Sequence, residues 1–161
     1  MAQRWLPIAL MLGAVGLGGC SWGPDVGELG AELQREGNML LTEVADTSAV
    51  DGTVPTVTED ASKDIPCGDA KVKRVFAGSF PFEPHSDLDN TFDFGFSAVW
   101  AAIDTERYGY DFHQGYDNDD LVGRKFTFTG KDDYKVTLTF VFTAGKTPTF
   151  ALHGETACLN A

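Results

Sequence analysis

Between residues 25 and 45 the apolar side chains Leu29, Leu33, Leu40, Leu41 and Val44 fall near one face of a 3.6-residue period, which predicts an amphipathic helix. Asp25 precedes it as an N-cap, and Glu28 three residues later completes a capping-box spacing. Gly27, Gly30 and Gly37 each weaken this helix by up to about 1 kcal/mol, so it needs a surface to dock on. A second helical period runs from Asp87, another N-cap residue, to about Arg107, with Phe92, Phe96, Val99, Trp100 and Ile103 as its apolar stripe. Aromatic residues at that spacing are ordinary core; a ligand-lining stripe is the alternative.

Other segments alternate with period two. Lys71 to Phe80 reads as a strand ended by Pro81 and Pro84, with Val72, Phe76 and Phe80 on one side. A short strand fits Tyr108 to Phe112. Lys125 to Thr129 sets Phe126 and Phe128 on one face. Tyr134 to Thr143 sets Tyr134, Val136, Leu138, Phe140 and Phe142 opposite Lys135, Thr137 and Thr139, the pattern of a half-buried strand. Gly130-Lys131-Asp132-Asp133 joins these two as a hairpin, and a last strand follows around Thr149 to Cys158. Residues 46–66 hold turn formers and polar residues without a sustained period, and read as a linker. This order predicts an α+β domain over residues 67–161: a curved antiparallel sheet of about four strands, with two helices packed on one face.

The first 19 residues change the picture of where the domain resides. Arg4 is their only charge, and an apolar, small-residue run follows from Trp5. That run is short for a membrane span and has the build of a signal peptide. It ends in Leu17-Gly18-Gly19-Cys20, which resembles the lipobox of bacterial lipoprotein precursors. In such precursors the cysteine thiol takes diacylglycerol and becomes the new N-terminus after cleavage. A secretory signal with a chance cysteine, or an uncleaved apolar anchor, are the alternatives. Cys20 is therefore the expected lipidation site, residues 20–24 the tether, and the extracytoplasmic face of the cell membrane the expected location. So short a tether would hold the domain close to the bilayer.

Charge and cysteines narrow this further. The chain has 12 Lys+Arg against 24 Asp+Glu, a formal net charge of −12; loss of residues 1–19 removes Arg4 and no acid, which makes it −13. Such a surface repels nucleic acid and anionic headgroups and favours cations or basic partners, besides keeping an exported domain soluble. With Cys20 spent on lipid, Cys67 and Cys158 remain, and in an oxidising compartment they are expected to pair as a disulfide. A metal site is the alternative, without a nearby cluster of further ligands.

Several of these features together resemble a class of actinobacterial exported lipoproteins, loosely similar to mycobacterial LppA-type proteins. They are Gly18-Gly19-Cys20, the Leu29 to Val44 helix, Pro66-Cys67-Gly68, the Phe92 to Ile103 helix, Tyr108-Gly109-Tyr110 and Thr156-Ala157-Cys158. Tyr108-Gly109-Tyr110 stands where Gly-Trp is expected in that class. The resemblance implies a lipid-anchored envelope protein of an actinobacterium and brings no activity with it.

Catalytic patterns are absent from the sequence. There is no Gly-x-Ser-x-Gly elbow, no zinc helix, no phosphate loop and no dinucleotide fingerprint; His85, His113 and His153 stand singly. One polar cluster, Asp111, His113, Tyr116, Asp117, Asn118, Asp119 and Asp120, begins like a calcium loop at Asp117-x-Asp119. Leu121 then takes the next ligand position, and neither the glycine nor the closing Glu follows. A solvated acidic loop is preferred over weak divalent-ion binding. The reading is a membrane-anchored, non-enzymatic binding or accessory protein, with an envelope protein as partner and no cofactor. A carrier of a small apolar ligand, with a cavity between Trp100, Phe96 and the meander, is the second reading. A hydrolase is the third.

Overall fold

A computed structural model describes residues 25–103, 110–111, 125–130, 136–143 and 146–160, with side chains outside 110–111 and 125–130. The first predicted helix forms as α1 (Val26–Ser48), and Asp25 caps it by accepting a 2.8 Å hydrogen bond from the Glu28 backbone N–H. Its buried stripe includes Leu29, Leu33, Leu40, Leu41 and Val44, the residues whose spacing predicted it. The second helix forms as α2 (Leu88–Ala102), capped by Asp87, whose carboxylate accepts from the Asn90 N–H at 2.8 Å.

Among the described residues nine strands follow as β1 (Thr56–Asp60), β2 (Ile65–Gly68), β3 (Lys71–Lys73), β4 (Val75–Pro81), β5 (Tyr110–Asp111), β6 (Lys125–Gly130), β7 (Val136–Thr143), β8 (Thr149–Thr156) and β9 (Leu159–Asn160). They make two antiparallel sheets, a six-stranded one ordered β1-β4-β8-β7-β6-β5 and a three-stranded one ordered β2-β3-β9. The molecule is thus α+β as expected, but the expectation of about four strands in one sheet is corrected. Two causes account for the difference.

First, residues 46–66, read as a linker, complete α1, form β1 and enter β2. All five residues of β1 are exposed, so no alternation marks it in the sequence. Backbone pairing to β4 holds it instead, with a register shift between Val57 and Glu59. Second, the strand expected over Lys71 to Phe80 divides at Arg74: β3 pairs with β9, and β4 pairs with β8. Buried Thr156 fixes the break, its backbone N–H donating to the Arg74 carbonyl and its hydroxyl accepting from the Arg74 N–H, both at 3.0 Å.

One core lies between the larger sheet and both helices. Phe76, Phe80, Leu138, Phe140, Phe142, Phe150 and Leu152 share the sheet face toward it, as the registers Phe76↔Gly154↔Leu138 and Phe80↔Phe150↔Phe142 require. Each such side chain contributes about 1.5–3 kcal/mol by leaving water. Leu33 of α1 fits over Gly154, where an added Cβ would stand 2.6 Å from its methyl. Phe92 of α2 meets Phe142 edge to face, with ring centroids 5.9 Å apart.

The smaller sheet has no core of comparable size and is joined by a disulfide between Cys67 in β2 and Cys158 just before β9, with Cα atoms 6.0 Å apart. A side-chain link also ties it to the larger sheet. Lys73 Nζ sits 2.6 Å from Glu155 Oε2, on the sheet face away from the helices. The Lys73 hydrogen bond and charge, with a smaller part from His153, hold the Glu155 carboxyl below its ordinary 4.5 against the opposing effect of burial. Because the folded value is the lower one, this pair's contribution to stability is present above pH 4.5 and fades as pH falls through the folded value. Solvent screens the pair, so the effect is modest. Lys73→Met should therefore make the acid loss of stability shallower below pH 4.5, as measured by urea midpoints against pH; an unchanged profile would refute the linkage.

Candidate binding groove

Between the last turns of α1 and one face of α2 lies an open groove of about 620 Å³. From α1 come Glu43, Asp46 and Thr47. From α2 come Phe94, Ser97, Ala98, Ala101 and Ala102. Small side chains at four of these α2 positions create the space, because any long apolar residue there would fill it. Thr47 turns its hydroxyl inward to the helix, donating to the Val44 carbonyl at 3.0 Å.

Phe94 is the one aromatic side chain among the described residues that line the groove, and Trp100 lies on another face of α2. Phe94 is 39% exposed, packs edge-on against Phe82, and meets the His85 ring at a centroid distance of 4.2 Å. Trp100 is 53% exposed and stacks on Phe96 with an interplanar angle of 17°. The sequence pattern grouped Trp100 with the core stripe. Phe92, Val99 and Ile103 are indeed buried, but Trp100 lies roughly 80° round the axis from Phe92 at 3.6 residues per turn, and reaches solvent.

The electrostatics of the groove are one-sided. Asp46 lies in the last turn of α1, where the helix dipole already places partial negative charge, and no basic residue occupies the last turn of either helix. An acid at that end costs a helix a few tenths to about 1 kcal/mol. Among the described residues, no Lys or Arg lines the groove.

The other predicted site residues distribute as follows. Cys67 and Cys158 form the disulfide. Asp111 lies in β5, its backbone opposite Thr129, while Asp117, Asp119, Asp120 and His113 lie outside the described residues, as do Cys20 and the residues before it. Among the described residues no group of three or more His, Cys, Asp or Glu is placed to hold a metal ion, and no helix is long and apolar enough to cross a membrane. Among the described residues three carboxyls are held below their ordinary values: Asp60 by the Ser62 hydroxyl and N–H, Asp87 by the Asn90 N–H it caps, and Glu155 by Lys73. None of the three lines the groove. What the groove can do is hold a ligand or segment that combines apolar and cationic groups.

The groove escaped sequence reading because its walls come from two helices 40 or more residues apart, and only the alanines of α2 hinted at a close approach. No family model matches the chain, and no curated protein or solved structure matches it.

Proposed function

We propose that the chain is a bacterial lipoprotein, lipidated on Cys20, that carries a non-catalytic binding domain on the extracytoplasmic face of the cell membrane. The anchor rests on Leu17-Gly18-Gly19-Cys20 behind an apolar, singly charged leader. The resemblance to actinobacterial lipoproteins supports the same placement. The binding role rests on one observation above the others, the open groove with exposed Phe94 on its wall. An exposed aromatic beside a concavity is the usual material of a recognition surface.

The carrier reading needs an apolar cavity between Trp100, Phe96 and the meander. Among the described residues Phe82, Phe92 and Phe142 pack edge to face beneath the Phe92 end of α2, and the groove opens between the helices. This favours the binding reading over an enclosed ligand.

Mass spectrometry of the membrane fraction tests the anchor. The chain should carry the diacyl mass on Cys20, and Cys20→Ser should lose both that mass and membrane retention. An unchanged, membrane-bound Cys20→Ser species would defeat the proposal.

A further inference from the structure

We infer that the smaller sheet, β2-β3-β9, faces the anionic headgroups of the membrane that holds Cys20, and that the groove opens away from them. The inference rests on the lipid anchor proposed above and adds an orientation to it. Residues 20–24 separate Cys20 from the N-cap Asp25, and a stretch of that length spans at most about 18 Å. The start of α1 therefore stays near the bilayer, and the charges beside it decide which surface turns inward.

Close packing puts the smaller sheet at that end. At Gly30, in the second turn of α1, a Cβ would stand 2.7 Å from Arg74 Cγ and 3.0 Å from the Ala61 carbonyl oxygen. Arg74 Nη1 donates to that same oxygen at 3.1 Å. Arg74 directly follows β3, which pairs with both β2 and β9. From there α1 runs along β4, past Phe76 at Gly37, and its C-cap Ala49 bridges Phe82. At this far end the Glu83 N–H donates to the Ser48 carbonyl, and the Phe82 N–H donates to the Pro148 carbonyl.

The charges divide between the two ends. Residues 61–74 carry Lys63, Lys71, Lys73 and Arg74 against Asp64 and Asp69. Lys73 and Arg74 are paired with Glu155 and Asp64, whereas exposed Lys63 and Lys71 stand in no ion pair among the described residues. The neighbouring Asp60 carboxylate is engaged by Ser62. The far end carries Asp46, Asp51, Glu83, Asp87 and Asp89, with Lys146 as its cation among the described residues. A bilayer's field fades within about 8–10 Å at physiological ionic strength, so only the surface turned to it counts. Lying flat on the solvent side of α1 would bring Glu28, Glu32 and Asp46 into that range, with Arg35 alone to offset them. Standing on the smaller sheet brings Lys63 and Lys71 there instead, and the positive end of the α1 dipole points the same way. The net charge of −12 repels the leaflet as a whole, so the anchor holds the domain there and the lysines turn it. From Gly30 to Asp46 α1 rises about 24 Å. The groove is thereby lifted off the bilayer toward partners in the envelope.

Lysine acetylation of the native, lipidated chain by a sulfonated N-hydroxysuccinimide ester, which does not cross membranes, tests this. The protein is inserted from mild detergent into preformed vesicles of phosphatidylethanolamine and phosphatidylglycerol. Peptide mass spectrometry then reads the rate at each lysine relative to the same protein in micelles of neutral detergent. Lys63 and Lys71 should react at least threefold more slowly on the vesicles, and Lys146 should change less than twofold. The protection should shrink below twofold on phosphatidylcholine vesicles, and also in about 0.5 M NaCl, which screens the headgroups. Unchanged rates at Lys63 and Lys71, equal protection of Lys146, or equal protection on phosphatidylcholine would each overturn the inference. The same spectra show whether Cys20 carries the diacyl mass. A chain without it defeats the anchor and the orientation with it, whereas a lipidated chain with evenly reactive lysines defeats the orientation alone.

Discussion

Replacing Cys67 and Cys158 together by serine is expected to lower the stability of the protein by about 4 kcal/mol, because the bond closes a loop with a sequence separation of 91 residues. Folding must then order that loop without help from the crosslink. The loss should fall first on the smaller sheet. β9 has two residues, β3 has three, and their register is only Lys71↔Asn160 and Val72↔Leu159. The larger sheet keeps its own aromatic core. Urea unfolding of parent and double variant gives the global change, and amide exchange at Val72 and Leu159 reports local opening before the main transition. Reduction of the parent with dithiothreitol should reproduce both effects. A stability change under about 1 kcal/mol would mean that the two sheets hold residues 67 and 158 together without the bond.

Gly37→Ala is the second large effect, and its sign runs against helix propensity. In an exposed helix this change stabilises by up to about 1 kcal/mol. Here α1 crosses β4 at Gly37, and a Cβ would stand 2.5–2.7 Å from three ring atoms of Phe76, a side chain with no exposure to solvent. The ring is packed on all sides, so the helix must lift or the ring must leave its position. Overpacking of this kind costs about 1–3 kcal/mol. Phe76→Ala alone should cost about 3–5 kcal/mol through the cavity it leaves. The double variant should lose less than the sum of the two, since the new methyl enters space the ring vacated; denaturant melts of the four proteins complete the cycle. Additive losses would show that Gly37 and Phe76 do not meet as described.

Gly37 also illustrates what period and propensity do and do not carry. By sequence it only weakens a helix, and the docking surface it calls for is left unspecified. The surface is β4 and β8, with Leu33 over Gly154 and Gly37 over Phe76, contacts between residues 39 or more positions apart. Both N-caps were legible because a cap is a local event: Asp25 and Asp87 accept from the N–H three residues on. β7 was legible for a different reason. One of its faces is buried and the other is not, so Val136, Leu138, Phe140 and Phe142 alternate with half-buried residues. β1 has no buried face and wrote no period into the chain.

The sequence by itself determined the two helices with their caps, the alternation of β7 and β8 and the pairing of two cysteines, and it carries the Leu17-Gly18-Gly19-Cys20 motif on which the proposed anchor rests. Each depends on neighbours within a few residues or on the chemistry of a named side chain. The tertiary structure alone decided that residues 46–66 complete α1 and enter the sheets, that the ladder changes sheet at Arg74, that Trp100 faces solvent, and that Asp46 and the alanines of α2 share a groove. Those outcomes follow from which distant segments pack together, a choice made by the summed burial of one core and recorded in no single stretch of chain.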